Sequence, residues 1–441
     1  MKLLQPTLTG LAAALLLAGA APALAQTKAD FDALREELRQ LREELNALKK
    51  GSAATAKPAD ASGWGERIEQ LEIKSKDAVV LGDTGGSFRL PGSETSIRLY
   101  GHAEAHAIHD LKAWSGSDNF TDLTFQGTGS PKGRTKLTAE TSRFGFETST
   151  PTSLGSFNTK VEADFYAYNG SEDGQNRNRL RLRHAYGEYG GFLVGQTWST
   201  FMDLDDLPET VDFNGPIGAP FSRRAMIRYT YGDPKAGYKL SFALEDPQDQ
   251  FNAGSANERM PQLVARFDKS FDWGAVNVRG LAHEKRSQSQ TKRGYGFGLG
   301  GSFKLTDKDL FMAQYTRVDG DVDQLYGSNG YTVDNDRYDS NGNLTYSGSG
   351  AVTFDRNQGL VLGYAKTFSD QLRGTVAFGM NKAKTEQAVD NKRLQQFHIN
   401  LIYSPIKNVE LGGELVLGER KTFGGDLHKM QRIDLMGRYA F

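Results

Sequence analysis

The chain has 441 residues, no cysteine, and 53 basic against 54 acidic side chains, for a formal net charge of −1. The missing cysteine excludes disulfides and thiolate metal sites, and the absent basic excess argues against a nucleic-acid role. Low mean hydropathy with 50 Gly, 17 Tyr and 25 Phe suits a sheet in which only every second residue must be apolar, around a wet interior.

Residues 1–25 have the form of a secretory signal peptide. Lys2 supplies a short positive region, Leu11 to Leu17 (LAAALLL) an apolar core, and Ala23-Leu24-Ala25 a small-residue cleavage site before Gln26. No later apolar run is long enough for a membrane-spanning helix. Export without such a helix points to the periplasm, the outer membrane or secretion. Residues 26–50 then carry Phe31, Leu34, Leu38, Leu41, Leu45 and Leu48 in 3-4 spacing among Arg and Glu, the seam of a short coiled coil. A run this short is marginal alone and gains from neighbouring copies; the competing expectation is one amphipathic helix packed on its own chain. Residues 51–93 are expected to be a linker, opening with the small, polar stretch GSAATAKPADASGWG.

Residues 94–441 alternate apolar and polar. Sixteen such segments run from 95–107 to 429–441, and in the last Ile433, Leu435, Gly437, Tyr439 and Phe441 share one face. Odd-numbered segments are followed by long polar stretches (108–140, 169–178, 199–223, 246–259, 285–293, 319–357, 384–392, 420–428), even-numbered ones by tight turns such as Gly190 and 405–406. Alternating long and short connections predict an all-β fold, a transmembrane antiparallel barrel of about 16 strands with long outer loops and short periplasmic turns. An even count places both barrel ends, and the helix before it, on the periplasmic side. A barrel of this size encloses water, so the chain is expected to be a pore.

Arginines mark its polar face. Arg177, Arg179, Arg181 and Arg183 recur every second residue, about 7 Å apart along a strand. The same parity turns Arg98, Arg143, Arg224, Arg228, Arg266, Arg279, Arg373, Arg432 and Arg438 inward, a ladder of permanently charged forks suited to carboxylate or phosphate. Inward acids (Glu104, Glu147, Glu162, Asp164, Glu410, Glu414, Asp434) support the alternative that many arginines only brace the wall, the preferred reading for Arg432 and Arg438. Segment 199–223 is apolar for a surface loop and is expected to fold into the lumen, its Asp203, Asp205, Asp206, Glu209 and Asp212 facing the arginines across the constriction. The rival is an outward loop touching a neighbouring subunit.

Other clusters are weaker. His102 and His106 lie about 13 Å apart on one strand face, too far to chelate one metal. The Asp-rich run 319–340 offers a weak calcium site as one reading, but it lacks ordered ligand spacing, and a solvated loop is expected. His184 and Glu188 share the parity of Leu180 and Leu182, which predicts an outer face too polar for mid-membrane and covered by a rim or another subunit. No catalytic set, metal site or cofactor motif is found.

Several stretches resemble the DcaP-type outer-membrane porins: Phe88-Arg89-Leu90-Pro91-Gly92 leading to Thr95-Ser96-Ile97-Arg98, the run Arg179 to Gly187 leading to Val194-Gly195-Gln196, and Leu207 to Pro216 (LPETVDFNGP). The resemblance implies a trimeric sixteen-stranded porin for small anions, dicarboxylic acids among them, with the constriction at Arg179, Arg181 and Arg183. The sequence thus predicts an outer-membrane homotrimer contacting lipid and small anionic solutes. The alternatives are a non-selective diffusion pore and a tether engaging peptidoglycan or a periplasmic partner through residues 28–50.

Overall fold

The computed structural model describes residues 39, 40, 43, 79–112, 121, 123, 133–167, 179–233, 235–247, 258–287, 289–321, 323–325, 330–334, 337, 338, 344–384 and 391–441. The chain divides into two compact units, Met1–Val79 with Leu90–Gly92, and Val80–Arg89 with Ser93–Phe441. In the first, Arg39, Gln40 and Glu43 are helical, and Arg39 pairs with Glu43 at 2.7 Å. The expected leader, the rest of the heptad segment, linker residues 51–78 and Arg177 lie outside the described residues.

The second unit is a closed barrel of sixteen antiparallel strands. They are β1 (Ser96–Asp110), β2 (Arg143–Thr152), β3 (Gly155–Ala167), β4 (Arg179–Tyr189), β5 (Phe192–Trp198), β6 (Arg223–Asp233), β7 (Tyr238–Glu245) and β8 (Gln262–Phe271). There follow β9 (Gly274–Arg286), β10 (Thr291–Thr306), β11 (Asp309–Asp319), β12 (Arg356–Ser369), β13 (Leu372–Ala383), β14 (Asn391–Ile406), β15 (Val409–Thr422) and β16 (Leu427–Ala440). Each pairs with its sequence neighbour, and β16 pairs back onto β1 from Arg432↔Asp110 to Ala440↔His102. Phe441 and Gly101 exchange backbone hydrogen bonds of 3.0 and 3.2 Å at the end of this seam. A Cβ on Gly101 would lie 2.7 Å from the Phe441 ring, so the terminal aromatic lies against a bare backbone.

The short connections follow the expected turn chemistry. Gly190 and Gly191, both at positive φ (58° and 88°), make the two-residue hairpin between β4 and β5, whose backbone twist matches the strands. The linker expectation for 51–93 needs a correction at its end. Val80–Leu81 and Phe88–Arg89 form a small hairpin, and the latter pairs with β1 at Ser96 and Ile97. Arg134–Thr138, inside the expected first loop, also pairs with β1.

Two-residue periodicity sorts the wall into a dry and a wet face. On β14 the outward Ile399, Leu401 and Tyr403 are 43%, 51% and 43% exposed, whereas the intervening His398, Asn400 and Ile402 are at most 3% exposed. In water the outer row would be a liability; against lipid it is where the apolar area belongs. Replacing Ile399 by Arg should destabilise the refolded barrel in lipid by about 2–4 kcal/mol, read from denaturant unfolding. Gln at the polar-facing Asn400 should cost the lipid contact nothing.

Candidate functional site

After Trp198 the chain leaves the wall, and Ser199–Ser222 lies against the inward faces of β7 to β16. Its root is held by Glu245, which accepts from Ser199 Oγ and Thr200 N, both at 2.7 Å. Arg279 Nη1 donates to Phe201 O at 2.8 Å, and Asn277 Nδ2 donates to Asp203 at 2.6 Å and to Asp206 at 2.9 Å. Farther along, Arg373 clamps Glu209 with two bonds of 2.8 Å, Glu414 accepts from Val211 N and Asp212 N, and Gln396 accepts from Ile217 N. Strand side chains thus satisfy backbone groups that the loop cannot pair with itself.

Glycines make the room. A Cβ on Gly300 would stand 2.0 Å from Asp203 Oδ2, on Gly359 2.0 Å from Gly218 O, on Gly363 2.4 Å from Pro208, and on Gly379 2.1 Å from Ile217 O. These inward positions on β10, β12 and β13 form a groove in which the loop is seated. Two further segments press on it from the long-loop side. Thr121 donates through N and Oγ1 to Asp212 (2.6 and 2.7 Å), and Asp321 accepts from Arg224 and Gln262 while Gln324 donates to Ser199 Oγ. Leu325 packs with Phe201, Ala243, Val264, Leu281 and Val318. Asp321 and Asp323 of the Asp-rich run 319–340 are therefore buried and paired rather than solvated, because Arg224 and Gln262 supply donors; Asp336 and Asp339 lie outside the described residues.

The other side of the lumen carries the arginines. Asp164 accepts from Arg181 at 3.0 and 2.6 Å and from Arg183 at 2.8 Å; Glu162 accepts from Arg183 at 2.6 Å, with Arg143 at 3.5 Å. Arg98 and Lys160 pair with Glu147, and Arg228 lies 3.8 Å from Glu188. Arg179 is exposed at the β4 rim. Arg266 sits apart on β8, taken up by Asp268, Asp203 and Asp205. The Arg181 guanidinium lies 4.8 Å from the centre of the Tyr166 ring and 5.6 Å from that of Phe213, a loop residue. The Arg223 guanidinium lies 3.7 Å over the Trp198 ring.

One expectation for β4 is corrected by its register. Glu162 faces His184 and Ala163 faces Leu182, leaving Arg183 as an extra residue in a β-bulge. The bulge reverses the parity beyond it. Arg183 and His184 are both buried on the inner side, and Tyr186 and Glu188 follow inward against Lys160 and Asn158. Beyond the bulge Ala185, Gly187 and Tyr189 take the outer positions, so His184 and Glu188 make no polar outer patch that would call for a covering subunit.

The expected acid array facing the arginines is corrected too. Asp203, Asp206 and Asp212 are 0%, 1% and 3% exposed and point into the loop's own seat; Glu209 is held by Arg373. Asp205 alone of the five has a largely exposed side chain, at 73%. The seat supplies donors that the open lumen does not. Burial and the neighbouring Asp203 carboxylate push the Asp206 acid up to about 7, and burial raises Asp212 as well. Beside the loop lies a cavity of about 630 Å³, lined by Trp198, Leu204, Asp205, Glu188, Arg228 and Lys239 among others. Among the described residues, no three His, Asp or Glu side chains are grouped to hold a metal ion.

The sequence profile of the DcaP outer membrane protein family matches residues 86–441. Porin Omp2b of Brucella suis is 28% identical over 246 residues, covering 52% of this chain and 63% of that protein. Porin Omp2a of Brucella melitensis is 26% identical over 251 residues, 52% of this chain and 64% of the relative; less than two thirds of either relative's length is therefore spanned. The crystal structure of the outer membrane channel DcaP of Acinetobacter baumannii is similar with a TM-score of 0.68 and 27% identity, over 82% of this chain and all of that one. An anion-selective porin from Comamonas acidovorans shares the fold, with a TM-score of 0.52 and 12% identity over 79% of this chain and 100% of that chain.

Two outcomes follow for the loop. Gly379→Val should unseat it, giving larger and noisier single-channel currents than the parent, with the barrel still refolding. The raised Asp206 acid makes docking strongest when that group is protonated: stability is fully present below about 4, the ordinary carboxylate range, and is lost as pH rises through about 7. Protease nicking within 199–222 should therefore increase over that window, and Asp206→Asn should flatten the dependence.

Proposed function

The chain belongs to the DcaP outer membrane protein family and is an outer-membrane porin, and from this we propose a passive pore preferring small anions such as dicarboxylates. The supporting observation is the charge count where Phe213 of the loop approaches the wall. Among the described residues, Arg143, Arg181 and Arg183 pair with Glu162 and Asp164, three cations to two acids. Cations left in excess in a narrow, partly desolvated passage favour an anion over a cation.

The roles divide by accessibility. Arg98, Arg181, Arg143 and Arg228, with side chains 42%, 30%, 26% and 24% exposed, are assigned solute contact. Arg179 is assigned the entrance. Arg183, at 4%, adds charge from behind the surface, and Arg266 braces the loop through Asp203. Asp205 is assigned the repulsion of a second negative charge on the loop side. The heptad segment 28–50 is proposed to gather copies of the chain, with a homotrimer as the intended assembly, or to reach a cell-wall partner. The outward small residues Gly101, Ala103, Ala105 and Ala107 on β1 suit close packing against another barrel.

Near-complete ion pairing along the wall favours one rival, a general diffusion pore. Reversal potentials in a salt gradient separate the two. The anion reading expects a potential of anion-selective sign that falls several-fold toward zero in Arg98→Ala/Arg181→Ala; a parent value near zero sinks it. Arg183→Ala should act differently, since it leaves two buried carboxylates short of a partner: a stability loss of about 3–5 kcal/mol, read from refolding yield and denaturant midpoint.

A further inference from the structure

The outward face of β11 to β16 carries a second ordered set of cations, which the pore does not use. Cross-strand register places Arg317 opposite Gln358, Gln358 opposite Lys382, Lys382 opposite Arg393 and Arg393 opposite Lys421. This is one continuous row of cross-strand partners running across five neighbouring strands. Arg317 and Lys382 alternate with buried lumen-side residues, which fixes their outward direction. Arg356 and Lys429 flank the row, and among the described residues Asp319 and Glu419 are the acids that answer these six cations. Among the described residues Lys382 and Lys421 are in no ion pair.

Like charges placed directly opposite on adjacent strands are about 5 Å apart and destabilise a sheet. Three in succession, Lys382, Arg393 and Lys421, are tolerable if something anionic lies over them. The position says what that is. Two rows nearer the membrane centre, the outward residues are Leu362, Phe378, Phe397 and Leu417, which mark the apolar band. The row stands above that band on the side of the long connections, which in such barrels is the outer leaflet's headgroup level. Arg and Lys at that height reach phosphate oxygens while their stems cover acyl chain.

We propose that the row Arg317–Lys382–Arg393–Lys421 is a binding site for the phosphate groups of an outer-leaflet glycolipid. It is a surface function, independent of which solute the pore passes. Phospholipid headgroups of the other leaflet meet the opposite rim, so the site commits to the phosphorylated glycolipid of the outer face.

The full-length protein in detergent is mixed with diphosphoryl lipid A, with the same lipid stripped of phosphate, or with phosphatidylglycerol, and retained lipid is counted by native mass spectrometry. Retention of diphosphoryl lipid A well above the other two is expected. Lys382→Gln/Lys421→Gln leaves the Arg393–Glu419 pair in place and should weaken that retention roughly thirtyfold. A control with the same charge change at the short-turn rim, Lys308→Gln/Lys407→Gln, should retain lipid like the parent. Equal retention of the stripped lipid or of phosphatidylglycerol overturns the proposal. So does parental retention by the first variant, or an equal loss in the control. Unchanged single-channel conductance in both variants confirms folding.

Discussion

Within a bilayer no water is available to the backbone, so every strand needs a partner on both sides. That constraint is met here by the seam between β16 and β1, and much else follows from it. Closure fixes which face of each strand is wet, and it makes the inner residues neighbours around a ring. His106 shows the result: it bridges Asp434 on β16 at 2.9 Å and Glu104 on its own strand at 3.0 Å, so the seam is also stitched from inside. Arg432 with Asp110 and Arg438 with Glu104 repeat the device.

The wet face then acquires a second duty. Wall residues that a simple tube would leave to water instead satisfy the backbone of Ser199–Ser222. Glu414, Gln396, Asn277 and Arg279 each trade hydration for a fixed partner in the loop. The apolar members of the loop settle among the few apolar inner residues, as Val211 does with Ile402 and Met436. A rigid constriction results from many modest contacts, each worth about 1 kcal/mol in a typical protein, and the glycine groove decides where it lies.

The fold was legible in the sequence because period two and connection length are local properties. All sixteen strands overlap the alternating segments, and the wall pairing of Arg432 and Arg438 agrees with their polar neighbours. The misses share one cause: they depend on contacts that no local pattern records. A bulge adds one residue at Arg183, and a period-two count carried past it puts His184 and Glu188 on the wrong face. Asp203, Asp206 and Asp321 look solvent-facing until Asn277, Arg224 and Gln262 arrive from distant strands. Gly300 and Gly379 are indistinguishable from the chain's other glycines until the loop lies on them. Of the expected site, the β2 and β4 arginines stand together with the β3 acids, Arg266 stands apart, and the loop acids turn away.

The seam has a kinetic side. His106 and Asp434 are 328 positions apart in sequence, and the seam also pairs Ala440 with His102, farther apart still, while most other strands meet the one just made. Loop-closure entropy grows only slowly with length, but the contact forms late, because nothing rewards it until the intervening strands have curled the sheet. Until then β1 and β16 are two bare edges, open to pairing with any extended chain nearby. The last contact to form is thus the one that ends the molecule's vulnerability to aggregation, and the speed of that step sets how long a carrier must shield the chain.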